Sequence, residues 1–194
     1  RQVYQRNQNR MRFYVINPNA RRISPFQACI DAAPPPDRFL PRQIPPDAPA
    51  MRIHTSGTTG KPKCVVHTHG RLLQQLRCCI PALAFRPGEV FQSTSQLFHI
   101  ACMGAYMVLA TGGTLVLMSR FEPEEYLASL EREKVTGISI IPMVLKRILE
   151  YPGLNQYDLS HLKFINYSTC PMPPALLEEA KKRFQCDFFQ SYGM

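Results

Sequence analysis

Residues 51–194 alternate between short apolar runs typical of buried strands and longer segments whose apolar residues recur at helical spacing. The predicted strands cover residues 51–54, 63–67, 89–94, 114–118, 137–141, 163–167 and 186–190. The predicted helices cover residues 69–85, 99–110, 123–134, 142–151 and 174–184, and the first of them bends or ends near Pro81. Strand–helix alternation with short connections predicts a doubly wound α/β fold, with a mostly parallel sheet and helices on both faces.

The first quarter of the chain has a different composition. Residues 1–50 hold nine of the 18 prolines, including Pro34-Pro35-Pro36. Such stretches favour extended, polyproline-like backbone. We therefore predict a Pro/Arg-rich linker or irregular segment over 1–50, with one strand near 11–16, followed by a partial α/β domain over 51–194.

The longest apolar run, Leu97 to Met118, has the length of a membrane span. A glycine pair, Gly112-Gly113, interrupts it and reads as a turn, so a buried helix followed by a buried strand explains the run better. We expect no secretory signal. We expect no transmembrane segment and a cytoplasmic location, with peripheral membrane association left open.

The net charge of +9 is uneven, because the first fifty residues hold eight arginines and only three aspartates. No RNA- or DNA-binding motif accompanies these scattered cations, so we expect no nucleic-acid partner. A positive field that attracts anionic substrates and a simply solvated basic face remain equal alternatives. The seven cysteines are odd in number and lack a Cys-x-x-Cys pair, which predicts mostly buried free thiols and no cysteine nucleophile.

The segment from His54 to Lys63 is the clearest candidate for chemistry, because it reads HTSGTTGKPK. Glycines allow backbone N–H groups to approach phosphate oxygens closely, while hydroxyls and lysines add donors and charge. A Walker loop is excluded because only two residues separate Gly57 from Gly60. A dinucleotide fingerprint is excluded because Pro62 directs the loop into a strand and not into a helix.

The stretch Thr55–Lys63 resembles the signature of the adenylate-forming superfamily, which includes acyl-CoA synthetases, luciferases and peptide-synthetase adenylation domains. A hairpin turn with solvated lysines is the plainer alternative. The following Val65-Val66-His67-Thr68-His69 is similar to the segment that leads into the next helix in acyl-CoA synthetases. The resemblance therefore points to this branch of the superfamily.

Three further segments carry the resemblance. Leu97-Phe98-His99-Ile100 resembles a second family signature, which implies that His99 lines the carboxylate site. Ser168–Pro173 resembles the turn that borders adenine, with Thr169 at a position where glycine is common. Gln190–Met194 resembles the start of Gln-x-Tyr-Gly-Met-Thr-Glu, which implies that Tyr192 stacks on adenine.

The resemblance implies that Lys63 and His99 act in catalysis, Lys63 on the phosphates or on loop closure and His99 on the acyl carboxylate. It also implies a nucleotide site formed by three segments: Thr55, Ser56, Gly57, Thr58, Thr59, Gly60, Lys61 and Lys63; Ser168, Thr169 and Cys170; and Gln190, Ser191, Tyr192 and Gly193. It implies ATP/AMP and magnesium as cofactors and CoA as co-substrate. No metal ligand is expected within the chain, because the family's magnesium-binding Glu would follow Met194.

These observations predict a fragment of an AMP-forming acyl-CoA synthetase for a fatty or related carboxylic acid, covering part of the large N-terminal domain and inactive alone. A peptide-synthetase-type adenylation domain fragment, a noncatalytic nucleotide-binding module and a basic nucleic-acid-binding protein are the alternatives. The sequence leaves the oligomeric state and the acyl-chain length open.

Overall fold

The computed structural model describes residues 12–16, 43–55, 63–95, 97, 100–118 and 120–192. The strands are β1 (Arg12–Ile16), β2 (Pro49–Thr55), β3 (Lys63–Thr68), β4 (Val90–Ser93), β5 (Thr114–Met118), β6 (Gly137–Ile140), β7 (Phe164–Ser168) and β8 (Asp187–Ser191). The helices are α1 (His69–Ala82), α2 (Cys102–Ala110), α3 (Pro123–Arg132), α4 (Pro142–Leu149) and α5 (Pro174–Phe184), and Leu154–Gln156 forms a 3-10 turn. Every predicted strand and helix is present, with ends that shift by at most three residues.

Six strands form one sheet in the order β1-β5-β4-β6-β7-β8, and all neighbours in it are parallel. From β4 the chain adds β5 on one side and then β6, β7 and β8 in turn on the other. This reversal of direction is the doubly wound topology that the strand–helix alternation predicts, and ligands bind at the carboxyl ends of the strands in such sheets.

The main core lies between one face of this sheet and helices α3, α4 and α5. Ile138, Ile165, Leu127, Leu145 and Ile148 are almost completely buried there. Each of the three helices begins with proline, which is favourable there because the N–H that proline lacks would have no partner within the helix. Packing against these helices therefore holds β6 and β7 in place in the sheet.

Helix α2 covers the opposite face over β4. A side-chain carbon added to Gly104 would lie 2.7 Å from the Phe91 ring, and Phe91 itself packs against Phe85 and Phe164. Helix α2 and β5 bear out the buried helix and buried strand expected for the Leu97–Met118 run. Among the helices in the described part of the chain, none has both the length and the apolar character that a membrane crossing requires.

Strands β2 and β3 form a separate two-stranded antiparallel sheet, in which Thr55 pairs with Lys63 and Ile53 with Val65. The preceding turn supports the start of α1, because the His69 N–H donates to the Ala48 carbonyl at 3.0 Å. The Gly70 N–H donates to the carbonyl of Pro46 at 2.7 Å. These contacts connect the hairpin to the first turn of α1.

The chain divides into two compact units. One contains residue 1 and residues 17–74, including the β2–β3 hairpin, and the other contains residues 2–16 and 75–194, including the six-stranded sheet. The sheet includes β1, the strand expected near residues 11–16. The division of the chain at residue 50 remains a prediction.

Candidate nucleotide site

The carboxyl ends of β7 and β8 bring together two of the three segments predicted to bind nucleotide. Tyr167 is paired with Gln190, and Ser168 with Ser191, in the parallel ladder. The turn Ser168–Cys170, which begins at the last residue of β7, therefore starts beside the end of β8. In sequence these segments are about twenty residues apart, and the parallel register alone makes them neighbours.

A side-chain hydrogen bond ties these strand ends together. The Ser191 hydroxyl donates to the Asn166 carboxamide oxygen at 2.8 Å, and both side chains are partly buried. The sequence analysis did not select Asn166. The available signal was a polar residue inside an otherwise apolar strand, FINYS, but its link to Ser191 depends on strand register.

The turn after β7 passes through a backbone conformation that favours glycine. Thr169 has φ of 71°, in the left-handed region, where a β-branched side chain is strained. Its hydroxyl donates weakly to the exposed Cys170 sulfur at 3.9 Å. The strained position is the one at which the resembled family commonly has glycine, and such strain concentrates at ligand sites.

Tyr192 directly follows β8 and, at 85%, is the most exposed of the large hydrophobic residues in the described part of the chain. A planar ring that is free on its faces can stack on a purine. Gln190, two residues earlier, is also exposed, whereas Gly193 lies outside the described residues. Thr169 and Tyr192 each directly follow a member of the Ser168–Ser191 pair, and the stacking of Tyr192 on adenine remains a prediction.

The hairpin supplies the frame of the predicted phosphate loop. Thr55 ends β2 and Lys63 begins β3, and the two are paired, so the intervening chain must close between them. Lys63 is exposed. The loop residues Ser56, Gly57, Thr58, Thr59, Gly60 and Lys61 lie outside the described residues, and their phosphate contacts remain predictions.

His99, the predicted carboxylate-site residue, also lies outside the described residues. Its neighbours Leu97 and Ile100 are exposed. Helix α2 begins at Cys102, so the prediction of a helix starting at His99 is wrong by three residues. The role of His99 remains a prediction.

The cysteines depart from the expectation of mostly buried thiols. The six in the described part of the chain form no disulfide with one another, but Cys64, Cys78 and Cys170 are exposed and only Cys102 is fully buried. Burial raises the pKa of the Cys102 thiol. Burial, together with the adjacent Asp187 carboxylate, raises the pKa of Cys186 to about 12. Both thiols therefore stay protonated at neutral pH, which is unfavourable for a nucleophile.

Metal-binding side chains are not clustered in the part of the chain that the structure describes: it holds no group of three or more His, Cys, Asp or Glu residues placed to share an ion. The strand ends of the candidate site thus offer hydrogen-bonding backbone, hydroxyls, the carboxamides of Asn166 and Gln190, and an aromatic ring.

Comparison with known proteins places these features in a family. The family model described as AMP-binding enzyme matches residues 8–194. A medium/long-chain fatty-acid–CoA ligase of Mycobacterium tuberculosis is 28% identical over 158 residues, which are 81% of this chain and 28% of that protein. A 4-coumarate–CoA ligase of Humulus lupulus is 30% identical over 187 residues, covering 86% of this chain and 34% of that protein.

A solved structure shows the same fold. The o-succinylbenzoate–CoA synthetase of Bacillus subtilis, in complex with ATP and magnesium ion, is 32% identical with a TM-score of 0.69. The match covers 77% of this chain and 31% of that structure. The chain thus spans about a third of the length of the proteins that it matches. Since the family model covers nearly all of its residues, the chain belongs to the family of AMP-binding enzymes.

Proposed function

We propose that the chain provides the adenine-binding part of an AMP-forming acid–thiol ligase. The observation that carries this proposal is the register of β7 and β8, which sets the strained turn at Thr169 beside the exposed Tyr192 at the carboxyl edge of a parallel sheet. This edge is where parallel sheets bind ligands. The three comparisons with CoA ligases support the same class of reaction.

The proposed reaction has two steps. A carboxylate oxygen attacks the α-phosphorus of ATP, and the bond from this phosphorus to the oxygen that bridges to the β-phosphate breaks. The products are the acyl-adenylate and pyrophosphate. The CoA thiol then gives its proton to solvent, its sulfur forms a bond to the acyl carbon, and AMP leaves with the electrons of the acyl–oxygen bond. Magnesium, bound with the nucleotide, would neutralise phosphate charge, and we assign it no ligand among these residues.

Each side chain has a separate task in this proposal. The Tyr192 ring stacks on the adenine, and backbone groups of the turn Ser168–Cys170 accept its exocyclic amine. The hydrogen bond from Ser191 to Asn166 fixes the end of β8 that positions Tyr192. Lys63 and the loop before it hold the β- and γ-phosphates, and His99 orients the acyl carboxylate. Catalysis on this account consists of positioning and charge stabilisation.

Titration with AMP tests the adenine site. Aromatic stacking on a base contributes about 1–3 kcal/mol, so we expect Tyr192→Ala to weaken AMP binding about tenfold in calorimetry, whereas Tyr192→Phe keeps the affinity. Tyr106→Ala is the matched control, since Tyr106 is another exposed tyrosine, on α2. Equal AMP affinity for wild type and Tyr192→Ala would contradict the proposal.

Nucleotide binding without ligation is a second candidate for these 194 residues by themselves. It is favoured because the chain covers only 28–34% of the ligases that it matches. We expect no acyl-CoA when the chain is incubated with ATP, magnesium, a carboxylic acid and CoA. Turnover detected by mass spectrometry would reject this second candidate and leave the ligase proposal in place.

A further inference from the structure

A cleft of about 380 Å³ lies where the last turns of α4 and α5 meet the 3-10 turn. Its lining includes Leu149 at the end of α4, Leu154 in the 3-10 turn and Arg183 in the last turn of α5. The turn Ser168–Cys170 of the candidate nucleotide site precedes the other end of α5, and this helix of 11 residues is about 16 Å long. The cleft is therefore a feature separate from the nucleotide site.

One part of the lining is apolar, and we call it the apolar wall: Leu149, Tyr151 and Leu154. Leu154 belongs to the main core and is only 5% exposed. Leu149 and Tyr151 are partly buried and pack against that core, which holds them in place. The apolar body of a ligand on this wall would remove more of their surface from water, which favours binding.

The other part of the lining is charged and comes from α5. Glu179, Lys182 and Arg183 share one side of the helix, because residues three and four positions apart are neighbours on a helix surface. Their formal charges sum to +1, and the carbonyl ends of α4 and α5 add a partial negative potential at the same place. A ligand with one negative charge matches this balance better than a polyanion such as pyrophosphate.

Arg183 presents a guanidinium that is held in place but incompletely hydrogen-bonded. Its Nη2 donates to the Leu154 carbonyl at 3.1 Å, which occupies one of its five N–H groups. Its Nε is buried and has no hydrogen-bond partner among the residues that the structure describes. Since the planar guanidinium matches the two oxygens of a carboxylate, and charge-assisted hydrogen bonds are stronger than neutral ones, a carboxylate is the group that this side chain favours.

We propose that the cleft binds a small monocarboxylate with an apolar body. Arg183 and Lys182 donate hydrogen bonds to its carboxylate, and its body lies on the apolar wall. The cleft volume is near the lower end of the range of about 300–1,000 Å³ that is usual for ligand pockets, so the acid is a small one. The inference is independent of the proposed function, because neither the nucleotide nor its site takes part in it.

Titration of the ¹⁵N-labelled chain, followed by NMR, tests the proposal with two matched pairs of probes: benzoate with benzamide, and hexanoate with hexanamide. The members of a pair have nearly the same shape, and only the acid is charged at pH 7. We expect the acid of at least one pair to bind about tenfold more tightly than its amide, because hydrogen bonds to a charged group contribute more than those to a neutral group. The backbone signals that shift should be those of residues 149–155 and 179–183, both with and without saturating AMP.

Charge variants of α5 identify the groups that hold the carboxylate. Lys182→Ala should weaken binding of the acid about threefold, and Glu179→Gln should strengthen it by a similar factor because a repulsive charge is removed. Arg183→Lys should also weaken it, since lysine keeps the charge but lacks the planar fork. Lys181→Ala is the matched control and should keep the wild-type affinity, because Lys181 is a neighbouring exposed lysine that pairs with Glu178 at 3.4 Å.

Equal affinities of acid and amide in both pairs, or signal shifts confined to residues away from the cleft, would overturn the inference. An acid affinity that stays unchanged in both Lys182→Ala and Glu179→Gln would overturn it as well. Both substitutions alter exposed side chains, so they leave the core intact. Failure of AMP to bind would instead reject the proposed function and leave this inference standing.

Discussion

Thr169 has a backbone conformation that is unfavourable for threonine, at a position next to the proposed adenine site. Its φ of 71° is costly for a β-branched residue, yet Thr169 directly follows Ser168, which is paired with Ser191 at the end of β8. Strain of this kind costs of order 1–3 kcal/mol and persists where surrounding structure enforces it. Interactions elsewhere in the folded protein must therefore offset the free-energy cost of this backbone conformation.

Replacing Thr169 by glycine should remove that strain. We expect Thr169→Gly to stabilise the protein by about 1 kcal/mol, since relief of the strain exceeds the added entropy of the unfolded chain. The measurement is the urea midpoint at unchanged slope. Ser168→Gly is the neighbouring control, because Ser168 lies in β7, where glycine only weakens a strand, and its midpoint should fall. A lower midpoint for Thr169→Gly would show that the threonine side chain stabilises the turn.

Single residues also mark the limit of what the sequence predicts. Tyr192 and Thr169 are recognisable because they belong to short motifs. Asn166 is not, since its partner Ser191 lies 25 positions away and the pairing follows from strand register. Exposure of individual cysteines likewise depends on which strand face is covered, and for that reason the prediction of mostly buried thiols is wrong for Cys64 and Cys170.

The strands around the site are set by close packing. Gly137 begins β6, and a side-chain carbon added there would overlap the ring of Phe164 on β7. Phe164 is itself buried between Phe85 and Phe189. The ring cannot move aside cheaply, so this contact controls the spacing of β6 and β7.

A methyl group at Gly137 should therefore be destabilising. We expect Gly137→Ala to lower the free energy of unfolding by about 1–3 kcal/mol, the usual cost of overpacking a buried site. Chemical denaturation measures the loss, and Ser139→Ala in the same strand is the control with an expected change below about 0.5 kcal/mol. An unchanged stability of Gly137→Ala would mean that Phe164 has room to move.

Element types were predictable because apolar periodicity differs between strands and helices, but element ends were less so. The apolar run gave no signal for starting α2 at Cys102 in place of His99, since both sides of that boundary are apolar. The end of α1 was predictable because Pro81 lacks an N–H, and the helix does end at Ala82.

The nucleotide site predicted from sequence draws on both compact units of the chain. The hairpin unit carries Lys63, and the sheet unit carries Thr169 and Tyr192. Motif order along the sequence predicts that they share one ligand, but periodicity and spacing carry no information on how two units meet. This part of the account therefore depends on binding measurements.

Substitution of Lys63 tests whether the hairpin unit contributes to nucleotide binding. If the hairpin loop holds the β- and γ-phosphates, Lys63→Ala should weaken ATP binding about tenfold and leave AMP binding unchanged, because a charge-assisted hydrogen bond to phosphate is lost. Lys146→Ala is the control, since Lys146 is an exposed lysine of α4. Equal losses for ATP and AMP, or none for either, would contradict the assignment of Lys63 to the phosphate tail.

The most direct test of the central claim is an intermolecular nuclear Overhauser measurement between ¹³C-labelled tyrosine rings and the adenine protons of bound AMP. The account predicts cross-peaks from the adenine protons to the Tyr192 ring, which disappear in Tyr192→Ala. Saturating AMP with no cross-peak to Tyr192, or with cross-peaks only to another tyrosine such as Tyr106, would contradict it.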